Sequence, residues 1–272
     1  MKDKKKGGSQ VRQTGPTLVF EEGVVAAGKT VPILEALKDP NSPVGEELRL
    51  LRANVQAIRQ KRPLDCLAVV SALPGEGKST ISLGLAAALA REPGRRILLV
   101  ESDLRRPAIS LDLGLSPHPG LSEWLNGGLE QVPVRLVDPG GFFLLGAGVA
   151  SLEQPEAVGS ARMDALLRAA RDRFDLVLLD ATPILPVADV MLIQDLVDGF
   201  LLVVRSRMTP RAAIHDALGR IRAEKVVGVV LNDQREYRGS YMAYAYQGYG
   251  MRAGGGARSG SASARSSRDE RP

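Results

Sequence analysis

Cysteine is nearly absent: the 272-residue chain has one, Cys66, so no intramolecular disulfide can form and a reducing compartment fits. Aromatic residues make up 4%, with a single tryptophan. No apolar run reaches the roughly 18 residues that a membrane-crossing helix needs. The longest candidate, Gly140 to Ser151, is about a dozen residues and rich in glycine. Met1 to Ser9 is basic but has no apolar stretch behind it, so it does not read as a secretory signal. What remains is ordinary for a folded domain, with 44% apolar and 25% charged residues, which excludes collagen-like, coiled-coil and wholly disordered readings. A chain of this length can bury a full core without cross-links.

The net charge is +5, and its location matters more than its size. Residues 1–14 carry five cations against one acid, residues 251–272 carry five against two, and the stretch 15–250 between them is left at −2. The basic balance therefore sits in two tails, read as solubilising or as a weak anchor on an anionic surface. No specific nucleic-acid partner is expected.

Residues 1–43 mix Lys, Gly, Ser, Thr and Pro and read as a mostly irregular N-terminal arm. Glu46 to Gln60 then places Leu48, Leu51, Val55 and Ile58 on one helical face, and Pro63 ends it. From residue 64 onward apolar strands alternate with helices: strands over 64–71, 96–100, 142–145, 175–179, 199–204 and 226–231, helices over 78–91, 162–173, 189–196 and 211–223. Continuous apolar strands separated by helices predict an α/β fold, a doubly wound and mainly parallel sheet covered on both faces. Residues 251–272 are Gly/Ser/Ala/Arg low complexity and read as a disordered tail.

The strand ending at Ser71 runs into Ala72-Leu73-Pro74-Gly75-Glu76-Gly77-Lys78-Ser79-Thr80. This is Walker A spacing with alanine where the first glycine usually stands. Gly75 and Gly77 allow the backbone amides to turn toward an anion, and the following helix aims its positive end there. Lys78 is placed to reach outer phosphates, and the Ser79 hydroxyl can ligate Mg²⁺. In an open parallel sheet, ligands sit beyond the C-terminal ends of strands, and two acidic signals stand there. One is Glu101-Ser102-Asp103-Leu104-Arg105-Arg106-Pro107; the other, Asp180-Ala181-Thr182-Pro183, has an acid after four apolar residues in the manner of Walker B. Glu101 and Asp103 are two apart and share a side in extended chain, so a second acid near the metal could orient or deprotonate an attacking hydroxyl. All five tyrosines, Tyr237, Tyr241, Tyr244, Tyr246 and Tyr249, fall in one short window past the last strand, whereas the five phenylalanines are spread through the chain. The window is either a sticky aromatic segment or a set of phosphoacceptors, in which case each modification adds about −1.5 to −2 charges.

Five blocks together resemble the bacterial tyrosine kinases of capsule and exopolysaccharide synthesis, which belong to the P-loop group that also holds the MinD/ParA-type ATPases. They are Glu46-Glu47-Leu48-Arg49-Leu50-Leu51-Arg52-Ala53-Asn54, the P-loop, Glu101 to Pro107, Asp180 to Pro183 and the terminal tyrosines. The resemblance spans residues 44–250 and implies a kinase domain over 44–232 with a tyrosine cluster over 233–250. It implies ATP and Mg²⁺ as cofactors, with Pro74 to Thr80 and Asn232 around the nucleotide. Lys78 would bind phosphate, Ser79, Glu101 and Asp180 would hold Mg²⁺ directly or through water, and Asp103 would be the base for an incoming tyrosine hydroxyl. Glu46, Arg49 and Arg52 would lie at a subunit interface of a ring in which tyrosines are phosphorylated in trans. The family usually has Asp at the position of Glu101. A transmembrane activator segment is not part of this sequence, which resembles the split form: a cytoplasmic kinase recruited to the membrane by a separate chain-length-type protein. The competing readings are a partition or site-selection ATPase, whose signature lysine would stand at Leu73, and a nucleotide-dependent scaffold that transfers no phosphate.

Overall fold

A computed structural model describes residues 20–149 and 155–233. The tyrosine cluster, both basic tails and the 251–272 segment lie outside the described residues. An eight-stranded sheet organises the chain. Its strands are β1 (Phe20–Ala26), β2 (Cys66–Ser71), β3 (Ile97–Glu101), β4 (Val134–Asp138), β5 (Phe142–Leu145), β6 (Leu176–Asp180), β7 (Gly199–Arg205) and β8 (Val226–Asn232). They lie in the order β1-β4-β5-β3-β6-β2-β7-β8. Every neighbouring pair is parallel except β4 with β5. The helices are α1 (Pro32–Lys38), α2 (Pro43–Arg59), α3 (Lys78–Ala90), α4 (Ile109–Asp112), α5 (Leu121–Leu125), α6 (Ala161–Arg171), α7 (Asp189–Ile193) and α8 (Arg211–Arg220). Among the described residues no helix is long and apolar enough to cross a membrane.

Central strands are buried on both faces, and their alternation sorts side chains between two cores. Leu67 and Val69 of β2, Ile97 and Leu99 of β3 and Leu178 of β6 join Leu34, Leu37, Leu48, Val55 and the α3 residues Ile81 and Leu85 on one side. Cys66, Ala68, Val70, Leu98, Val100, Val177 and Leu179 join Trp124, Met163, Leu166, Phe200 and Ala217 on the other. Helix α3 is apolar around nearly its whole circumference, as expected of a helix wedged between the sheet and α1–α2. Gly84 permits that wedge, since a Cβ there would stand 2.8 Å from the Ile33 side chain and 2.9 Å from Leu48.

Burial pushes the Cys66 thiol up to about 12, with Asp198 and Asp65 adding to the shift and Arg171 and Lys225 opposing it. Only the thiolate is nucleophilic, so iodoacetamide at pH 8 is expected to leave Cys66 unmodified in the native protein and to label it on unfolding. Labelling of the native protein at the rate of a free thiol would contradict this burial.

The N-terminal segment corrects the sequence reading. Residues 1–43 read as a mostly irregular arm, yet β1 pairs in parallel with β4, with Ala26 opposite Asp138, and α1 buries Leu34 and Leu37. Both elements are short, and their stability comes from partners far along the chain, which local composition does not reveal. The same holds for β4, α4 and α5, which the periodicity also missed.

Candidate active site

The turn after β2 combines glycines in the left-handed region, Gly75 at φ +80° and Gly77 at φ +90°, with the start of α3 at Lys78. An L side chain rarely adopts these angles. At Gly77 space is also closed, because a Cβ would stand 2.1 Å from Asn232 Nδ2. Ala72, at the position of the usual first glycine, is fully buried in the core, where a small apolar side chain fits.

Lys78 crosses from the start of α3 to the ends of β3 and β6. Its Nζ lies 3.0 Å from Asp103 Oδ2 and 3.6 Å from Asp180 Oδ2. All three residues are buried. Ser79 Oγ donates to Asp180 Oδ2 at 2.7 Å, and Ser82 Oγ donates to Asp180 Oδ1 at 3.0 Å. Asp103 is seated by its own amide, which donates to Asp180 O at 3.0 Å, and its Oδ1 accepts from Arg106 N at 3.1 Å. Burial is the largest influence on the Asp180 carboxyl and pushes it above the usual carboxylate range; Lys78, Ser79 and Ser82 pull it down, and Asp103 adds to the rise. A hydroxyl and two carboxylates, all oxygen donors, suit a hard cation such as Mg²⁺. The turned glycines and the α3 N-terminus suit a phosphate chain.

Glu101 is the exception, and its expected role as a metal ligand is corrected. It is fully buried, and both carboxylate oxygens are engaged elsewhere. Oε1 accepts from Ile109 N at 2.6 Å and Ser110 N at 3.3 Å. Oε2 accepts from Ser110 Oγ at 2.6 Å and Ala147 N at 3.2 Å. Four donors saturate the group, so it ties the end of β3 to α4 and to the chain after β5. Glu101 and Asp103 thus part company: the former fastens the scaffold, the latter meets Lys78.

Three further residues grip the P-loop from outside. The Asn232 side chain donates to Glu76 O at 2.9 Å. The Glu76 carboxylate accepts from Leu73 N at 2.9 Å and from Thr209 Oγ1. Arg205 Nη1 reaches Gly75 O at 3.4 Å. Arg205 closes β7 and Thr209 follows it; neither belongs to a motif, so only their position at the same sheet end could have marked them. On α2, Arg49 Nε pairs with Glu46 Oε2 at 2.6 Å and its Nη2 donates to Pro40 O at 3.2 Å. Arg52 Nη1 donates to Ala88 O at 3.4 Å.

Residues 67–243 match the family described as the CobQ/CobB/MinD/ParA nucleotide binding domain. The chain is 30% identical over 214 residues to the tyrosine-protein kinase YwqD of Bacillus subtilis (strain 168), a match that covers 77% of this chain and 89% of that protein. It is 36% identical over 172 residues to the succinoglycan biosynthesis transport protein ExoP of Rhizobium meliloti (strain 1021), covering 61% of this chain and 22% of ExoP. Among solved structures, the kinase domain of the Escherichia coli tyrosine kinase ETK superimposes with a TM-score of 0.70 at 28% identity, over 78% of this chain and 86% of that one. With that sheet order, that P-loop and those relatives, the chain belongs to the CobQ/CobB/MinD/ParA nucleotide-binding family, among its bacterial tyrosine kinases.

Proposed function

We propose that the protein is an ATP-dependent protein-tyrosine autokinase acting in capsule or exopolysaccharide synthesis and export. The observation that carries this reading is the convergence of Lys78, Ser79, Asp103 and Asp180 beside a P-loop. Lys78, released from its two carboxylates, supplies positive charge to the transferring phosphate. Ser79 and Asp180 are the residues that would hold Mg²⁺, which when bound neutralises charge on the β- and γ-phosphates. Asn232, seated against Gly77, would border the nucleotide. A tyrosine hydroxyl has a pKa near 10, so Asp103 takes its proton as the oxygen bonds to the γ-phosphorus and the bond to the ADP oxygen breaks. The acceptors are Tyr237, Tyr241, Tyr244, Tyr246 and Tyr249 of a neighbouring copy in a ring.

The Glu46–Arg49 pair and Arg52 offer the charged face for that assembly, although on the isolated chain they bond internally. A membrane-anchored co-polymerase-type partner would recruit and stimulate the kinase at the inner face of the membrane. Relatives named as tyrosine kinases favour this reading over a partition ATPase, and Leu73 stands where the partition signature lysine would be.

The test is incubation of the purified protein with ATP and Mg²⁺, followed by anti-phosphotyrosine detection and mass spectrometry. The expected result is phosphate confined to the 237–249 window, with a kinase-dead copy labelled in trans by wild type. Nucleotide binding without phosphotyrosine would replace the kinase by the scaffold reading.

A further inference from the structure

Among the described residues three buried side-chain polar atoms have no hydrogen-bond partner: Arg52 Nε, Trp124 Nε1 and Thr182 Oγ1. The first two belong to α2 and α5, and the other Arg52 contact is to Ala88 O. Thr182 is different in its place. It stands two residues after Asp180, where the β6 chain still runs beside β2: Ala181 N donates to Val69 O, Ile184 N to Ser71 O and Leu185 N to Ala72 O. On the other flank, Ser102 N and Asp103 N both donate to Asp180 O. Thr182 therefore lies between the strand that feeds the P-loop and the strand end that carries Asp103.

Side-chain alternation tells which face it shares. Val177, Leu179 and Ala181 belong to the core on the α5–α6 side, whereas Leu178 belongs to the α3 side, and Asp180 reaches the α3 residues Ser79 and Ser82. Extending the period of two puts Thr182 on the Asp180 face. It is only 2% exposed. A hydroxyl buried without a partner is destabilising, and such groups are rare enough in folded proteins to call for a cause. The neighbouring serine hydroxyls all have a partner in the chain: part-buried Ser79 and buried Ser82 bond Asp180, and buried Ser102 Oγ bonds Asp180 O.

We infer that Thr182 is a nucleotide-binding residue whose hydroxyl is kept for the phosphate and hydrated-metal end of Mg·ATP. The inference rests on the nucleotide site proposed above and adds to it a residue outside the P-loop and the acidic pair. The hydroxyl can donate to an anionic oxygen and accept from a metal-bound water, so it suits either half of that ligand.

The test compares wild type with Thr182→Val, which keeps the shape and removes the hydroxyl, and with Thr182→Ser, which keeps the hydroxyl. Two measurements are made on each: the melting temperature without nucleotide, and the affinity for ATPγS with Mg²⁺ by titration calorimetry. Thr182→Val is expected to melt at the same or a higher temperature than wild type, because the orphan hydroxyl is gone, and to bind ATPγS about tenfold more weakly, the loss of one hydrogen bond to a charged ligand. Thr182→Ser is expected to bind within about threefold of wild type. Unchanged affinity in Thr182→Val overturns the assignment, as does a fall in its melting temperature with weakened binding that Thr182→Ser does not restore, since the hydroxyl then supports the fold. If wild type itself does not bind ATPγS with Mg²⁺, the nucleotide site fails as a whole, an outcome distinct from equal binding by wild type and Thr182→Val.

Discussion

Replacing Lys78 by methionine is expected to remove tyrosine phosphorylation almost entirely, by about 10³-fold or more, since a preorganised charge on the transferring phosphoryl group is usually worth that much. The same substitution should cost stability in the nucleotide-free protein. Lys78 is the cation that faces Asp103 and Asp180, and removing one partner of a buried pair typically costs about 3–5 kcal/mol. The pH dependence gives the effect a signature. Burial already holds the Asp180 carboxyl above its usual range, and loss of the ammonium, which pulls it down, raises it further. A carboxyl whose folded pKa lies above its unfolded value binds the extra proton in the native state, so stability falls as pH rises through that interval. The penalty is absent below the unfolded pKa and complete above the folded one. The gap in melting temperature between wild type and Lys78→Met should therefore narrow as pH is lowered from 7 toward 4. A gap that is constant or widens would show that Lys78 does not compensate Asp180. Retained phosphorylation near the wild-type rate would remove Lys78 from the phosphate site.

Asp103→Asn and Glu101→Gln are expected to fail in opposite ways, although the residues stand two apart in one motif. Asp103→Asn should lower the phosphorylation rate by about 10²-fold or more, the usual cost of losing a positioned base, with a melting temperature close to wild type because Asp180 still faces Lys78. Glu101→Gln should act on stability. A glutamine presents one accepting oxygen and one donating amide to a group of four donors, Ile109 N, Ser110 N, Ser110 Oγ and Ala147 N. At least one buried donor is then left facing another, a cost of about 1–3 kcal/mol, or roughly 2–12 °C in a domain of this size. Rate measurements on the folded fraction and thermal melts on both variants decide the matter. A rate loss in Glu101→Gln as large as in Asp103→Asn, without a change in melting temperature, would return Glu101 to the chemistry.

The sequence alone determined the parallel core of the sheet and the nucleotide loop, because both are written in local pattern. Fully buried strands such as β2 (Cys66–Ser71) are nearly continuous apolar runs, and the P-loop needs Gly75, Gly77, Lys78 and Ser79 at fixed spacing beside a strand and a helix. Asp180 was legible for the same reason, as an acid closing an apolar strand. Tertiary structure decided what depends on partners distant in the chain. β1 exists because β4 offers it an edge, and α1 because α2 and α3 give Leu34 and Leu37 somewhere to be buried. The roles of the two acids after β3 could not be separated by spacing, since both point to the same side of an extended strand. They were separated by what each side chain meets: four donors from α4 and the chain after β5 around Glu101, and the Lys78 ammonium at Asp103. Thr209, Arg205 and Thr182 belong to the same class. No motif marks Thr209 or Arg205, and Thr182 stands in the Asp180 block with no role that spacing assigns to it; they enter the site because the parallel strands β2, β6 and β7 end at the same edge of the sheet.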